Sequence, residues 1–213
     1  MTDPTKPQGT IVVSGTGRVM LDPDIAELRL GVAVSRPSVE AARAAAAEAM
    51  TAILAAVTAA GVAKRDVRTT LLSVQPRYDY RDGKAPTLTG YDLANVVEIT
   101  VRDLATLGGV VDGALTAGAT SLDGLTFRVD DPREAEHAAR TAAVVEARAR
   151  ADVLAAASGV TITGVSDIIE GGPGPIWPQP KATRMLMAAD AGTPVEAGTT
   201  EIAVTVTVTF RLG

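Results

Sequence analysis

Residues 12–28 (VVSGTGRVMLDPDIAEL) contain a closely spaced glycine pair, Gly15 and Gly17, that could be taken for a phosphate-binding loop. Such a loop needs a third glycine or a Gly-Lys-Ser/Thr sequence, and a helix must follow it directly. Here a strand follows instead, because apolar and polar residues alternate from Ala26 to Val34. We therefore predict a structural turn at Ser14–Gly17 and a second turn at Leu21–Asp24.

The pattern downstream of this strand predicts a helix and then two strands. Ser38 is placed to cap the helix, apolar residues recur every three or four positions, and Gly61 ends it. A strand is predicted over 66–75, and Asp82-Gly83 is the predicted tip of the loop that follows. The return strand extends to Val101, with alternate apolar residues on one face.

A second helix and a fourth strand complete this half of the chain. Asp103 is the predicted cap of the helix, Gly118 ends it, and residues 122–129 alternate as a strand does. Residues 19–130 therefore follow the order strand, helix, strand, strand, helix, strand. This order is that of the split βαβ arrangement in ferredoxin-like sheets.

The third helix has the clearest start signal in the sequence. Asp131 is the predicted N-cap, Pro132 the first helical residue and Glu134 a carboxylate in the first turn. The helix should extend to Ser158, a length of about 40 Å at 1.5 Å per residue. One sheet is too small to cover such a helix, so we expect part of it to face another chain.

The remaining residues predict two strands and a long connection. The strands are expected over 161–170 and in TEIAVTVTVTFRL near the end, and 171–198 is a Gly/Pro-rich connecting loop. The predicted class is α+β: an antiparallel sheet with a ferredoxin-like βαββαβ core, plus a long third helix and C-terminal strands. We expect residues 1–9 to form a disordered tail before one domain, 10–213, with halves at 19–130 and 131–213.

Composition argues against two classes of function. The 213 residues carry a formal net charge of −5 and no basic run, so we expect no nucleic-acid partner. The chain has no cysteine, which excludes disulfides, thiolate chemistry and cysteine-based zinc sites.

Reactive side chains do not cluster in the sequence. The single histidine, His137, lies one turn into the third helix among charged residues, so we interpret it as part of a solvated face. No Gly-x-Ser-x-Gly sequence supports a nucleophile. We predict no catalytic residue, no cofactor and no metal, and therefore no enzyme.

The connecting loop contains large apolar residues, which are Ile176, Trp177, Met185, Leu186 and Met187. One interpretation is a loop that folds back on its own domain. Another is a contact surface for oligomerisation or a ligand, because long loops are uncommon unless functional and Trp and Met are favoured at interfaces. A membrane-touching loop is a third alternative, and we favour self-association.

The amino terminus predicts the compartment. MTDPTKPQGT lacks the basic and apolar regions of a secretory leader. The most apolar stretch, 41–60, is interrupted by polar residues, so we expect no transmembrane segment. The expected location is cytoplasmic, and the alternative is a periplasmic or secreted protein whose leader has been removed.

Five segments together resemble the SIMPL-domain family, which includes bacterial periplasmic immunogenic proteins and a eukaryotic kinase-associated signalling protein. The segments are SGTGRVMLDPDIAEL, GYDLANVVEITVRDL, AGATSLDGLTFRVDDP, AARTAAVVEARARADVLAAASGV and TPVEAGTTEIAVTVTVTF. The positions that match the family motif are interpreted as fold markers only. They are Gly15, Gly17, Pro23, Asp24, Gly90, Tyr91 and Asn95.

The resemblance implies an α+β fold with antiparallel strands and no established catalytic residues. It also implies self-assembly, into ring- or channel-like oligomers in one bacterial branch, and a link to stress responses. We therefore expect a non-enzymatic protein that forms a homo-oligomer. The alternatives are a module that binds a small apolar ligand or a partner peptide and, more remotely, a hydrolase.

Overall fold

The computed structural model describes residues 9–80, 85–171 and 195–213. In chain order the elements are β1 (Thr10–Leu21), β2 (Ile25–Arg36), α1 (Val39–Ala59), β3 (Val67–Asp79), β4 (Thr87–Val101), α2 (Leu107–Thr116), β5 (Ser121–Arg128), α3 (Arg133–Ser158), β6 (Ile162–Glu170) and β7 (Thr200–Leu212). Short 3-10 turns at Lys64–Asp66 and Leu104–Thr106 precede β3 and α2. The α+β class predicted from the sequence is confirmed.

These elements divide into two compact units. One unit contains β1, α3, β6 and β7, and its three-stranded sheet has the order β1-β7-β6. The other contains β2, α1, β3, β4, α2 and β5, and its four-stranded sheet has the order β3-β4-β2-β5. All described strand pairs are antiparallel.

The four-stranded unit has the strand order and connections of a ferredoxin-like sheet, as its sequence predicts. Its core lies between one face of the sheet and the two helices. The α1 residues that face this core are Ala42, Ala46, Met50, Ile53 and Val57, which are all buried. By length and mean hydropathy (1.3) α1 could also span a membrane, but this stripe packs against β2 and β4, as in a core helix.

Two predicted helix ends are confirmed and one differs in detail. The Ser38 side chain accepts a hydrogen bond from the Ala41 amide and caps α1. Gly159 ends α3 in the left-handed conformation, with φ of 68°. Asp131 is not the N-cap of α3, because Pro132 occupies that position; the Asp131 carboxylate instead accepts from the backbone amide and the guanidinium of Arg133.

The three-stranded unit is built on α3, whose 26 residues span about 39 Å. The inward-facing residues of α3 are alanines at intervals of four, namely Ala135, Ala139, Ala143, Ala147, Ala151 and Ala155. They pack on β1 and on the buried side chains of Val206, Val208 and Phe210 in β7. The predicted alternation of β7 is confirmed, since its Thr205, Thr207 and Thr209 occupy the opposite face.

The predicted turn at Ser14–Gly17 is wrong, because β1 continues through it and pairs with β7 from Thr10 to Leu21. For the same reason residues 19–21 belong to the three-stranded sheet and not to the ferredoxin-like half. The second predicted turn is confirmed, since β1 ends at Leu21 and β2 begins at Ile25.

Some sequence predictions lie outside the described residues. They concern the tail before Gly9, the loop tip at Asp82-Gly83 and most of the connecting loop. Ile176, Trp177, Met185, Leu186 and Met187 are all in that last segment.

Candidate interaction surfaces

The glycine pair marks a close approach of helix to strand. A Cβ atom on Gly15 would lie 2.1 Å from the carbonyl oxygen of Ala143, and one on Gly17 would lie 1.9 Å from that of Ala139. No side chain fits at such distances, because non-bonded carbon atoms pack at about 3.5–4.0 Å. The glycines are therefore required for packing, and they form neither a turn nor a phosphate loop.

The geometry of the two elements explains the spacing of the pair. Two residues of a strand advance about 6.7 Å, and four residues of a helix advance about 6.0 Å. A step from Gly15 to Gly17 along β1 therefore nearly matches the step from Ala143 back to Ala139 along α3. The contact between α3 and β1 therefore explains both patterns, the alanine at every fourth position of the helix and the two glycines separated by one residue in the strand.

This close approach lets two α3 side chains reach the free edge of β1. The Thr16 amide donates to Oε2 of Glu146 at 2.5 Å, and Nη1 of Arg150 donates to the Ser14 carbonyl at 2.8 Å. Among the described residues, β1 pairs with a strand on its β7 side only, so these backbone groups belong to its unpaired edge. We call Glu146 and Arg150 the β1 clip, because they occupy the positions that another strand would need.

The charges of the clip are balanced within the unit. Arg150 also donates to Oε1 of Glu146 at 2.6 Å. The pKa of Glu146 is lowered, first by the hydrogen bond from the Thr16 amide and then by the positive charges of Arg150 and Arg18, against an opposing effect of burial. Glu146 therefore stays ionised at neutral pH, as the contact requires.

The four-stranded sheet has a different edge at β3. Its register places Leu72 opposite Asn95 and Val74 opposite the buried Leu93 of β4, so both point to the helix side of the sheet. The helices do not cover them: α1 packs on β2 and β4, and Leu72 is 67% exposed. Beyond a register shift between Arg77 and Tyr78, Tyr78 lies opposite Leu88, and both of these side chains are exposed. We call Leu72, Val74, Tyr78 and Leu88 the apolar strip.

The outer face of the four-stranded sheet is charged. Arg68, Glu98, Arg29 and Asp123 lie opposite one another on β3, β4, β2 and β5, so their charges alternate across the sheet. The Arg68 guanidinium contacts the Glu98 carboxylate at 2.5 Å. The charges on this face are therefore balanced across the sheet.

A charged cluster lines a pocket of 210 Å³ near the C-terminal end of α1. Arg102 contacts Asp66 at 3.0 Å and Asp130 at 2.5 Å. These hydrogen bonds, that of Asp130 above all, raise the pKa of Arg102. Both carboxylates thus have a permanent cation as partner, an arrangement that favours structural ion pairing over acid–base chemistry. Among the described residues, no three of the His, Asp or Glu side chains converge on a metal position.

The other fold markers surround strand ends and the β3–β4 hairpin. Pro23 and Asp24 form the connection between the two sheets' first strands, and the Asp24 carboxylate accepts from the Asp130 amide at 2.8 Å. Gly90, Tyr91 and Asn95 lie in β4. The Oδ1 atom of Asn95 is buried and has no hydrogen-bond partner in the described structure.

Sequence reasoning missed both the β1 clip and the apolar strip. A signal for the clip was visible, since the alanines of α3 recur every four residues and leave a helix surface without large side chains. A signal for the strip was also visible: residues 69–76 (TTLLSVQP) form an uncharged run with Arg68 and Arg77 at its ends. The sequence alone does not show that this run lies at a sheet edge.

The chain is similar in sequence to several bacterial proteins. The chain is 35% identical over 211 residues to the 26 kDa periplasmic immunogenic protein of Brucella melitensis, covering 95% of this chain and 84% of that protein. It is 37% identical over 145 residues to the uncharacterized protein YggE of Escherichia coli K12, covering 68% of this chain and 58% of YggE. The YggE of Edwardsiella ictaluri is 30% identical over 196 residues, covering 91% and 81%.

These names correct one expectation from the sequence. The cytoplasmic location is wrong, because relatives that match nearly the whole chain are named periplasmic proteins. The names of the relatives describe no enzymatic activity. The family described as SIMPL, a protein of unknown function (DUF541), matches residues 11–210, and the chain therefore belongs to the SIMPL family.

Proposed function

We propose that this chain is a non-enzymatic periplasmic protein that works as a homo-oligomer. The observation that carries the proposal is the apolar strip, which places the exposed Leu72, Val74 and Tyr78 on the edge strand β3 and Leu88 beside them on β4. Exposed apolar edges promote pairing with another chain, and proteins that stay monomeric usually protect them with charges or cover them.

A second exposed surface supports self-association. α3 presents Val145 and Val153 on the side opposite its alanine stripe, with exposures of 63% and 69%. The length of this helix led to the same expectation from the sequence. Two exposed apolar surfaces on one chain are what an oligomer larger than a dimer requires, and a closed ring is one such assembly.

Two features support the absence of enzymatic activity. The carboxylates of Asp66 and Asp130 are both paired with Arg102, and the outer face of the four-stranded sheet carries charges that alternate across the strands. The periplasmic part of the proposal is supported by the names of the Brucella relatives. The link to stress responses stays a prediction from the family resemblance.

A second function, a binding module for an extended partner peptide, is favoured by the free edge of β3. An extended segment could add to this edge as a further strand, since backbone hydrogen bonds would supply affinity and the apolar strip would supply specificity. The same surface would serve, but the occupant would be another protein.

Solution mass tests the proposal. We expect multi-angle light scattering of the purified chain, from low to high micromolar concentration, to give a mass that is a multiple of the 21.8 kDa of one chain. Electron microscopy of the largest species then tests whether the assembly is a closed ring. A mass of one chain at every concentration would contradict self-association and favour the peptide-binding function.

A further inference from the structure

The four sheet edges of the described structure differ in how well they could accept another strand. The backbone of β1 is already bonded by the clip at Ser14 and Thr16, and β6 has two register shifts and the charges of Asp167 and Glu170. β5 has one register shift and contains Asp123 and Arg128. β3 also has two register shifts, between Thr69 and Leu71 and between Arg77 and Tyr78, but its register is continuous from Leu71 to Arg77. It combines a free edge with an uncharged run of eight residues, 69–76, between Arg68 and Arg77.

We propose that β3 pairs with β3 of a second copy of this chain, antiparallel and centred on Ser73, so that two four-stranded sheets form one of eight strands. This inference rests on the proposed self-association and names its surface. In an antiparallel pair related by a two-fold axis, the numbers of two residues that lie opposite each other always add up to twice the number of the central residue. Centring on Ser73 places Leu72 opposite Val74, and Leu71 opposite Gln75.

This register suits a second copy because it buries the exposed residues against one another. Leu72 and Val74 of both copies lie on the helix side and form one apolar cluster, with opposite Cβ atoms about 4.5–5.5 Å apart. Two copies of Ser73 meet on the other face. From Leu71 to Gln75 every opposite pair is uncharged, so the pairing brings no like charges together.

Neighbouring registers are less favourable. Centring on Leu72 would pair Val74 with Thr70, at the register shift between Thr69 and Leu71. Centring on Val74 would place Leu72 against Pro76, which has no amide hydrogen, and would put Leu71 opposite Arg77. Centring on Ser73 places Thr70 and Pro76 opposite each other at the ends of the paired segment, so Leu72 and Val74 face neither of them, and we take Ser73 as the centre.

A cysteine at position 73 tests this register directly, because the natural chain has no cysteine. Residues directly opposite in an antiparallel pair have Cα atoms about 4.5–5.5 Å apart, which a disulfide can bridge. We expect Ser73→Cys to form a covalent dimer under mild oxidation, visible on a non-reducing gel and reversed by a thiol reductant.

Position 75 gives the matched control. In the proposed register the two copies of Gln75 are four strand residues apart, about 13 Å along the strand, so Gln75→Cys alone should stay uncrosslinked. The double variant Leu71→Cys/Gln75→Cys should crosslink, because position 71 of each copy lies opposite position 75 of the other copy. Crosslinking of Gln75→Cys as efficient as that of Ser73→Cys would contradict the register.

Charge substitution separates this inference from the proposed function. We expect Leu72→Lys/Val74→Lys to lower the solution mass while the thermal unfolding of the dilute chain is unchanged. As a control, Val145→Lys/Val153→Lys on α3 should leave the Ser73→Cys crosslink intact. If the wild-type mass persists in Leu72→Lys/Val74→Lys and Ser73→Cys fails to crosslink, the assembly uses another surface and this inference is wrong. A monomeric wild type would overturn both proposals, and protection of the β3 amides by an added extended peptide would then support the peptide-binding function.

Discussion

The free edges of β1 and β3 differ in whether side chains of the same unit occupy their backbone groups. Both are long strands, of 12 and 13 residues, and in the part of the chain that the structure describes each has a partner strand on one side only. At Ser14 and Thr16 the backbone of β1 is bonded by a carboxylate and a guanidinium from α3, whereas β3 presents an uncharged run at residues 69–76 and exposed apolar side chains. An edge strand is thus accessible or closed according to which helix lies beside it.

The difference arises from how closely each helix can approach. α3 has alanines where it meets β1, and β1 has glycines, so the side chains of Glu146 and Arg150 reach past the strand to its outer edge. α1 packs on β2 and β4 through larger residues such as Met50 and Ile53, and β3 lies beyond its reach. Small residues at one contact therefore determine which edge of the protein is available to a partner.

The largest effect should follow from filling the glycine contact. Gly17→Val places a side chain against the Ala139 carbonyl, where a Cβ alone would lie 1.9 Å away, so the three-stranded unit should lose about 5 kcal/mol or fail to fold. Urea unfolding followed by circular dichroism measures this. Gly109→Ala is the control, because a Cβ there meets nothing within 4 Å and the helix should gain up to about 1 kcal/mol.

The second effect compares buried and exposed apolar residues of the two sheets. Phe210→Ala removes a side chain that is 2% exposed beneath α3, and we expect a loss of about 3–4 kcal/mol in the free energy of unfolding. Leu72→Ala in the apolar strip should change the stability of the dilute chain by less than about 0.5 kcal/mol. A large loss for Leu72→Ala in a monomeric sample would show that another part of the chain covers the strip.

A smaller effect should appear when the β1 clip is weakened by acid. The pKa of Glu146 is lower in the folded chain than its ordinary value of 4.5, so its carboxylate stabilises the folded state at neutral pH. This stabilisation should decrease as the pH falls below 4.5 and vanish below the folded-state pKa.

Glu146→Gln should therefore be less stable than wild type at pH 7, and the difference should narrow on acidification. Urea midpoints measured at several pH values test this, with exchange of the Thr16 amide as a local probe. Glu136→Gln is the control, because Glu136 pairs with Arg140 and with no strand backbone in the described structure. A difference for Glu146→Gln that is independent of pH would show that the carboxylate charge is not what holds the clip.

The smallest effect concerns Asn95, which lies opposite Leu72 at the boundary of the apolar strip. Its Oδ1 atom is buried without a partner, and an apolar residue of similar size removes that cost. We expect Asn95→Leu to raise the free energy of unfolding by about 0.5–1 kcal/mol, measured by thermal or urea unfolding. A loss of stability would mean that the amide contributes through its other atoms.

Much of the four-stranded unit could be predicted from sequence, because its elements carry local signals. Ser38, Gly61 and Gly118 mark helix ends, and the alternation in β2 and β4 gives the strands. The order of these elements then determined the ferredoxin-like topology. Such signals lie within a few residues of the structure that they specify.

The three-stranded unit could be predicted only in part. β7 and α3 were evident from periodicity, but the glycine pair was misinterpreted as a turn. The two glycines are required by a contact with Ala139 and Ala143, which lie more than 120 positions away in the chain. No local sequence pattern indicates that contact. The exposure of β3 was equally hidden, since it depends on how far α1 extends across the sheet.

The glycine contact also has a consequence for the order in which the protein folds. β1 is made before its helix and its strand partner, which lie at residues 133–158 and 200–212. During synthesis or export from the amino terminus, β1 has nothing to pair with until residues 133–212 have emerged. Residues 23–130 are contiguous and contain the whole four-stranded sheet, so we expect this part to fold while β1 is still unpaired. High contact order in one unit and low contact order in the other should give two folding phases, with closure over Gly15 and Gly17 as the slower.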